Sequence, residues 1–530
     1  MKRAWVGVGL CAVALLWATG LHAPFVYDDK IEVIGNPTIR VYTELGAIAT
    51  YNVSRPVLIA TYAVNWAIGG LDPTGYHAVS IGVHVLNVVL VGLLLQRVLA
   101  AAQGATARGS TAAWAAALLW GAHPMCVQGV TYVAGRSDAL CATFWLGSSI
   151  AWLDRRRGWT LALLTGALLT KELGALLPLW LVLLRPPDPA ERRAVAWMVG
   201  LVALGGAVRV GVMGWPALQW TRGFWAQFSS QGGAWSRYLA LWLWPGHQSI
   251  LHDPDWKGTT ALVNTLLAIA WAVSLGWAVW RVVRTPGQTP VTRTLALGWV
   301  FIGCWLLPSG ALPLKEVMAE HRAYLMGVPL MALLCVVVER RGGMILCAGV
   351  GCALAAGTVV QNRLWSSEVD VWAAAAALYP ESADARFGAA DALRLARRWA
   401  EAEQAYRVVL QLRPDDESAS VDLGIVRAEQ GDDLGARAIW QELTARHPRS
   451  CAGHNNLGAW ASRHGDRRAA MDEYSSAFRW CPDDPVALAG LGDVCWERGD
   501  TRLARKYYER YLEILPYGAE AARLREQIGP

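Results

Sequence analysis

The stretch MKRAWVGVGLCAVALLWATGLHAPFVYDDK, residues 1–30, decides how the rest of the chain is read. Lys2 and Arg3 precede an apolar run from Ala4 to Gly20, and Phe25-Val26-Tyr27-Asp28-Asp29-Lys30 follows at the point where that run would leave a membrane. A basic start and an apolar core suit both a cleaved signal peptide and a retained anchor. Many apolar spans follow, so the run reads as a retained signal anchor, and the carboxylates of Asp28 and Asp29 emerge on the external side.

Composition agrees. With 530 residues, 54% hydrophobic and 17% charged, the chain is too long for one core and too apolar for an ordinary soluble protein. Residues 1–362 hold 26 Lys and Arg against 15 Asp and Glu, whereas residues 363–530 hold 22 against 27. In a chain of apolar segments this asymmetry reflects cytoplasmic loops under the positive-inside rule, and nucleic acid is not an expected partner.

A spanning helix needs about 20 apolar residues. After the first span, residues 22–75 form an external loop in which Val57–Ile68 is short enough to be an interfacial helix. Tyr76–Leu95 returns inside at Arg97 and Arg108, the segment from Thr111 goes out, and Ala139–Leu153 comes back to Arg155-Arg156-Arg157. The apolar run Trp159–Leu184 carries Lys171-Glu172 at its centre. Two short helices meeting at an external Lys171-Glu172 turn keep Arg185–Arg193 inside, which one long helix would not. Residues 194–212 go out, and a long external loop with a shallow apolar piece at 238–245 follows. Residues 261–280 return to Arg281 and Arg284, 294–307 go out, 323–338 return to Arg340-Arg341, and 343–361 go out for the last time. The sum is about eleven spans with the tail outside. Basic residues left on that external face, among them Lys30, Arg55, Arg136, Lys171 and Arg322, are costly beside apolar segments and mark a site.

The tail repeats. Pro380, Pro414, Pro448, Pro482 and Pro516 are 34 residues apart, and Ala402, Ala436, Ala470 and Ala504 keep the same register, as do Tyr406, Trp440, Tyr474 and Tyr508. A 34-residue period of small residue, aromatic and closing proline is the tetratricopeptide (TPR) pattern of stacked helical hairpins. The expected fold class is therefore all-α: a polytopic membrane helix bundle over 1–362, a connector over 363–380, and an α-solenoid of about four TPR repeats over 381–530. Such arrays bind extended peptides or act as spacers. Cys451 opens the first helix of one hairpin and Cys481 closes the second, so antiparallel packing predicts a disulfide between them. No cysteine spacing resembles a zinc site.

Walker loops, Rossmann glycine patterns, nucleophile elbows and zincin helices are absent. Polar residues at the outer ends of membrane helices remain: Asp28-Asp29; the helical stripe His77, Ser80, His84 and Asn87; His123-Pro124; Gly135-Arg136-Ser137-Asp138; Lys171-Glu172; and Glu320-His321-Arg322 with Tyr324. Singly, each has a plainer reading: a solvated turn for Asp28-Asp29, hydrogen-bonded packing for the histidine stripe, and structural pairs or headgroup contacts for Arg136 with Asp138 and Lys171 with Glu172. Together on one side of a membrane they suit a site that activates a hydroxyl and holds a lipid phosphate.

At these residues the chain resembles the transmembrane and tetratricopeptide repeat-containing proteins and, more broadly, the membrane glycosyltransferases of the GT-C fold that include protein O-mannosyltransferases. The likeness is carried by Phe25–Asp29 with Asn36-Pro37, Ser54-Arg55-Pro56 leading to Asn65-Trp66, Gly75-Tyr76-His77 with His84 and Asn87, His123-Pro124, Gly135–Asp138, Thr170-Lys171-Glu172 and Met318–Leu325. The resemblance implies transfer of mannose or a related hexose from a polyprenyl-phosphate donor to a Ser or Thr hydroxyl of an exported protein. Asp28 and Asp29 would be the catalytic carboxylates. The substrate and lipid-phosphate residues would come from Arg55, His77, His84, His123, Arg136, Asp138, Lys171, Glu172, His321, Arg322 and Tyr324. No metal ligand or cofactor is assigned, although carboxylates of this kind could accept a divalent cation. Where relatives tend to read His-Pro-x-His-x-Glu, this chain has His123-Pro124-Met125-Cys126-Val127-Gln128, a departure that bears on activity. The alternatives are a non-catalytic membrane-anchored repeat scaffold and an enzyme acting on a glycan or lipid acceptor. The Arg-rich, Lys-poor composition points to a bacterial inner membrane with the TPR domain in the periplasm.

Overall fold

The computed structural model describes residues 4–41, 43–103, 107–213, 223–253, 259–284, 290–311, 316–340 and 343–529. The side chains of Lys2, Arg3, Arg108, Arg340 and Arg341, used above to orient the chain, lie outside what is described. Every regular element among the described residues is helical. The chain forms two compact units, Met1–Val371 and Trp372–Pro530.

The first unit runs through α1 (Ala4–Trp17), α2 (Leu45–Tyr51), α3 (Pro56–Gly69), α4 (Pro73–Gln103), α5 (Ala107–Gly121), α6 (Val127–Val130), α7 (Arg136–Leu153), α8 (Arg157–Leu168) and α9 (Leu177–Leu184). It continues with α10 (Arg192–Met213), α11 (Phe224–Leu243), α12 (Thr259–Arg284), α13 (Pro290–Ala311), α14 (Gly327–Arg340) and α15 (Met344–Leu364). Among the described residues, four helices are long and apolar enough to cross a membrane, within 73–101, 189–212, 260–284 and 345–364, and six shorter apolar helices accompany them. The 31-residue α4 is the axis of the bundle, packed by α5, α7, α1 and α13. Small residues permit these close approaches: a Cβ on Gly121 would lie 2.5 Å from Val88, and one on Gly92 would lie 2.6 Å from the Trp114 ring. Trp17 closes the α1 contact by donating its indole N–H to the Gly121 carbonyl at 2.7 Å.

Lys171 and Glu172 do fall between two short helices, α8 and α9, joined by a 3₁₀ turn at Glu172–Leu176. Within the region read as an external loop with an apolar piece at 238–245, Phe224–Leu243 form the 20-residue α11. Gln227, Ser230 and Gln231 lower its hydropathy, yet all three are buried. Gln227 and Gln231 donate to the carbonyls of Gly310 and Val317, so their polarity is used against neighbouring backbone and not against water.

In the second unit, α16 (Glu368–Leu378) leads into hairpins α17 (Ala383–Leu395) with α18 (Trp399–Leu412), α19 (Glu417–Glu429) with α20 (Asp433–Arg446), α21 (Cys451–Arg463) with α22 (Arg467–Trp480), and α23 (Pro485–Glu497) with α24 (Thr501–Ile514), closed by α25 (Ala519–Ile528). Helix α16 occupies most of the stretch expected to be a connector. The 34-residue period has a local cause at each helix start. Ser382, Asp416, Ser450 and Asp484 cap the first helices, and Asp432, Asp466 and Asp500 cap second helices, each accepting from a backbone N–H in the first turn. Ala402, Ala436, Ala470 and Ala504 are fully buried. Trp440 sits so close over Gly424 that a Cβ there would be 2.1 Å from the indole nitrogen. Cys451 and Cys481 form a disulfide, joining the start of α21 to the residue that ends α22.

Candidate active site

The loop after α1 turns sharply at Tyr27, whose φ of 52° is uncommon for a residue with a side chain. Its hydroxyl donates to Glu316 Oε1 at 2.7 Å, tying the turn to the segment before Glu320. This turn sends the two carboxylates in different directions. Asp29 points inward and is 1% exposed; its Oδ1 accepts from the Ala134 N–H at 2.6 Å and its Oδ2 from the Val26 N–H at 3.1 Å. Burial pushes its carboxyl up to about 7, and the backbone hydrogen bonds only partly oppose this. Asp28 lines a cavity of about 120 Å³, and burial also raises its carboxyl above the usual range.

The same cavity is walled by Arg55, Lys171, Glu172, His321 and Arg322. Lys171 Nζ stands 2.5 Å from Asp138 Oδ2 and 3.2 Å from Ser137 Oγ. Arg55 and Arg209 flank Glu172 Oε2 at 3.7 and 3.5 Å. Arg322 donates to the Glu316 carbonyl at 2.9 Å and lies 3.7 Å from its carboxylate. His321 Nε2 is 3.9 Å from Asp138 Oδ2. One cavity therefore holds a carboxylate able to take a proton, three cations able to hold an anion, and an imidazole.

The remaining candidates lie behind the wall. Arg136 is buried with its donors spent on Ser80 Oγ (3.0 Å), Thr61 Oγ1 (3.1 Å), Asn65 Oδ1 (2.9 Å) and the Tyr76 carbonyl (2.6 Å), and it stacks on the rings of Tyr62 and Tyr76. It organises α3, α4 and α7 and does not line the cavity. Gly135 before it is required by space, because a Cβ there would be 1.7 Å from the Gln128 carbonyl oxygen. His77 bonds the Ala23 carbonyl at 2.8 Å. His84 bridges Tyr324 Oη at 2.6 Å and the Gly121 carbonyl at 2.9 Å, and Asn87 also donates to Tyr324. His123 holds the Met125 N–H and the Trp242 carbonyl. The whole stripe His77, Ser80, His84 and Asn87 is buried.

Cys126 and Gln128 are also interior. The Cys126 thiol faces the Trp120 carbonyl, and Gln128 donates to the Ser249 carbonyl at 2.6 Å. The loop bearing Ser249 is held again by Glu320, which accepts from Ser249 N, Gln248 and His252. These two positions thus lie behind the site, and neither lines the cavity.

Three polar residues of the cavity wall are not among those the sequence singles out: Glu32, Tyr132 and Glu316. Glu32 stands four residues after Asp28, one helical turn away, which was a usable signal. Arg209, inside an apolar helix, was another. Tyr132 and Glu316 carry no spacing that marks them. Among the described residues no group of three or more His, Cys, Asp or Glu side chains is arranged to hold a metal ion.

No protein-family model matches the chain. Curated proteins similar to part of it include the protein O-mannosyl-transferase TMTC4 of Homo sapiens, 28% identical over 168 residues, which are 28% of this chain and 23% of that protein. Protein O-mannosyl-transferase Tmtc1 of Drosophila melanogaster is 27% identical over 188 residues, 31% of this chain and 21% of that protein. The chain thus spans under a quarter of the length of these relatives, and the resemblance drawn from the motifs holds over that part. Similar solved structures include MamA 41-end from Desulfovibrio magneticus RS-1 (17% identical, TM-score 0.24, 28% of this chain and 82% of that chain) and YrrB, a TPR protein with an unusual peptide-binding site (15%, 0.24, 30% and 81%).

Proposed function

We propose that the protein is a membrane-embedded glycosyltransferase of the GT-C type that moves mannose or a related hexose from a polyprenyl-phosphate carrier to a Ser or Thr hydroxyl of an exported protein. The observation that carries this reading is the cavity where Asp28 faces Arg55, Lys171 and Arg322. A hydroxyl nucleophile has a high pKa and needs an acceptor for its proton as the glycosidic bond forms. Asp28 is that acceptor: the hydroxyl oxygen bonds to the anomeric carbon, the anomeric carbon–phosphate oxygen bond breaks, and the proton passes to the Asp28 carboxylate. The departing polyprenyl phosphate is held by the three cations, the arginines offering forked donors. Asp29 is a positioning residue, since its two backbone bonds fix the turn that aims Asp28.

The eleven-span topology, the external face of the site, the bacterial inner membrane and a periplasmic TPR domain that binds the acceptor belong to the same proposal. The relatives' names support a transferase acting on protein. A pure scaffold has no use for a charged cavity among apolar helices, where each charge is costly to place. The reading is tested by incubating the purified full chain with polyprenyl-phosphate mannose and a Ser/Thr-bearing acceptor and looking for the hexose on the acceptor by mass spectrometry. Absence of transfer with intact donor binding sinks it.

A further inference from the structure

Three buried polar atoms on residues of the cavity wall are short of hydrogen-bond partners among the described residues: Glu32 Oε2 and His321 Nδ1 have none, and Tyr132 Oη has none but Asp28. The Tyr132 hydroxyl faces the Asp28 carboxylate and has no other polar partner among the described residues. Its ring lies 6.1 Å from that of His321 and 5.5 Å from that of Trp365, and the residue is 3% exposed. A buried polar atom left short of partners is costly, and native proteins rarely keep several of them together. Three on residues that wall one cavity point to something that completes them.

The chemistry of that something is narrow. The cavity, about 120 Å³, is roughly eight times the space of about 10–15 Å³ that one water needs. An apolar group would leave all three atoms short of partners. A phosphate would meet the carboxylates of Asp28, Glu32 and Glu316, and its natural place is against Arg55, Lys171 and Arg322. A sugar hydroxyl donates one hydrogen bond and accepts two, so hydroxyls on one ring can serve a carboxylate oxygen, a phenol and an imidazole nitrogen at once. Burial raises the Glu32 carboxyl above its ordinary range, which suits it to either role.

Resting on the function proposed above, we infer that Glu32, Tyr132 and His321 form the subsite that reads the hydroxyls of the transferred hexose, with Glu32 and Tyr132 determining sugar preference. A site built to bond a hydroxyl discriminates strongly against a ligand that lacks it, because its own groups are then left unpaired.

The test is equilibrium binding to the purified full chain in detergent, comparing polyprenyl-phosphate mannose with sugar-free polyprenyl phosphate in the wild type, Tyr132→Phe and Glu32→Gln. The wild type should prefer the sugar-bearing lipid by about tenfold or more, and a variant that melts like the wild type should lose about tenfold of that preference while holding sugar-free lipid within about twofold. Such a loss in either variant supports the subsite. A wild type without the preference, a preference unchanged in both variants, or an equal loss of both lipids overturns it. Preference without transfer would refute the proposed reaction and leave the subsite standing. Transfer without preference would do the reverse.

Discussion

Asp29 keeps its carboxyl inside the protein, bonded to the Val26 and Ala134 amides, and burial lifts it from 3.8 to about 7. A carboxyl whose pKa rises on folding binds its proton more tightly in the folded state. Its contribution to stability is therefore complete below about pH 4 and is lost as the pH climbs through about 7. Thermal unfolding in detergent across that window should show the wild type losing stability relative to Asp29→Asn by about 1.4 kcal/mol per pH unit. A difference that stays flat with pH would mean that Asp29 ionises normally. Arg136 makes a contrasting case, since its charge is consumed by Ser80, Thr61, Asn65 and Tyr76. Arg136→Lys cannot rebuild that fork and should cost roughly 3 kcal/mol of stability, while whatever folds should keep its donor KM. Charged residues beside apolar segments were legible because their placement is costly, which is why Asp28, Lys171 and Arg322 stand out in the chain. Burial direction was not legible, so Arg136 looked like a phosphate ligand and Tyr132 and Glu316 looked like nothing in particular.

At the scale of the elements, the repeat hairpins test how tightly small residues and aromatics are matched. Gly424→Ala would put a methyl 2.1 Å from the Trp440 indole nitrogen. Overpacking of this kind typically costs about 1–3 kcal/mol, so the second unit of the variant should melt earlier, and an unchanged melting profile would mean that the hairpin relaxes freely. The Cys451–Cys481 bond closes a loop of sequence separation 30. On chain-entropy grounds its removal should cost about 3–4 kcal/mol. A mobility shift on reduction should be present in the wild type and absent in Cys451→Ser; a shift that persists in the variant argues against this pairing. These hairpins were legible residue by residue, because a 34-residue period repeats cap, glycine, aromatic and proline. Helix α11 was not, because Gln227, Ser230, Gln231 and Gly232 imitate a polar loop until the carbonyls they serve and the helix they approach are known.

For the whole molecule, the proposed topology rests on hydropathy and arginine placement, and among the described residues four helices meet the length and composition of a membrane span. Reporter fusions at residue 188 should report the cytoplasm and fusions after residue 530 the outside; a cytoplasmic tail would invert the proposed topology. The site depends on that orientation, because an exported acceptor and Asp28 must meet on one side. Its decisive measurement is hexose transfer from polyprenyl-phosphate mannose to a Ser/Thr acceptor by purified wild type and Asp28→Asn, with donor binding followed in parallel. Loss of a positioned general base costs about 10²–10⁴-fold. The expected result is transfer by the wild type and a loss of that size in Asp28→Asn with donor affinity retained. Transfer undiminished in Asp28→Asn would contradict it.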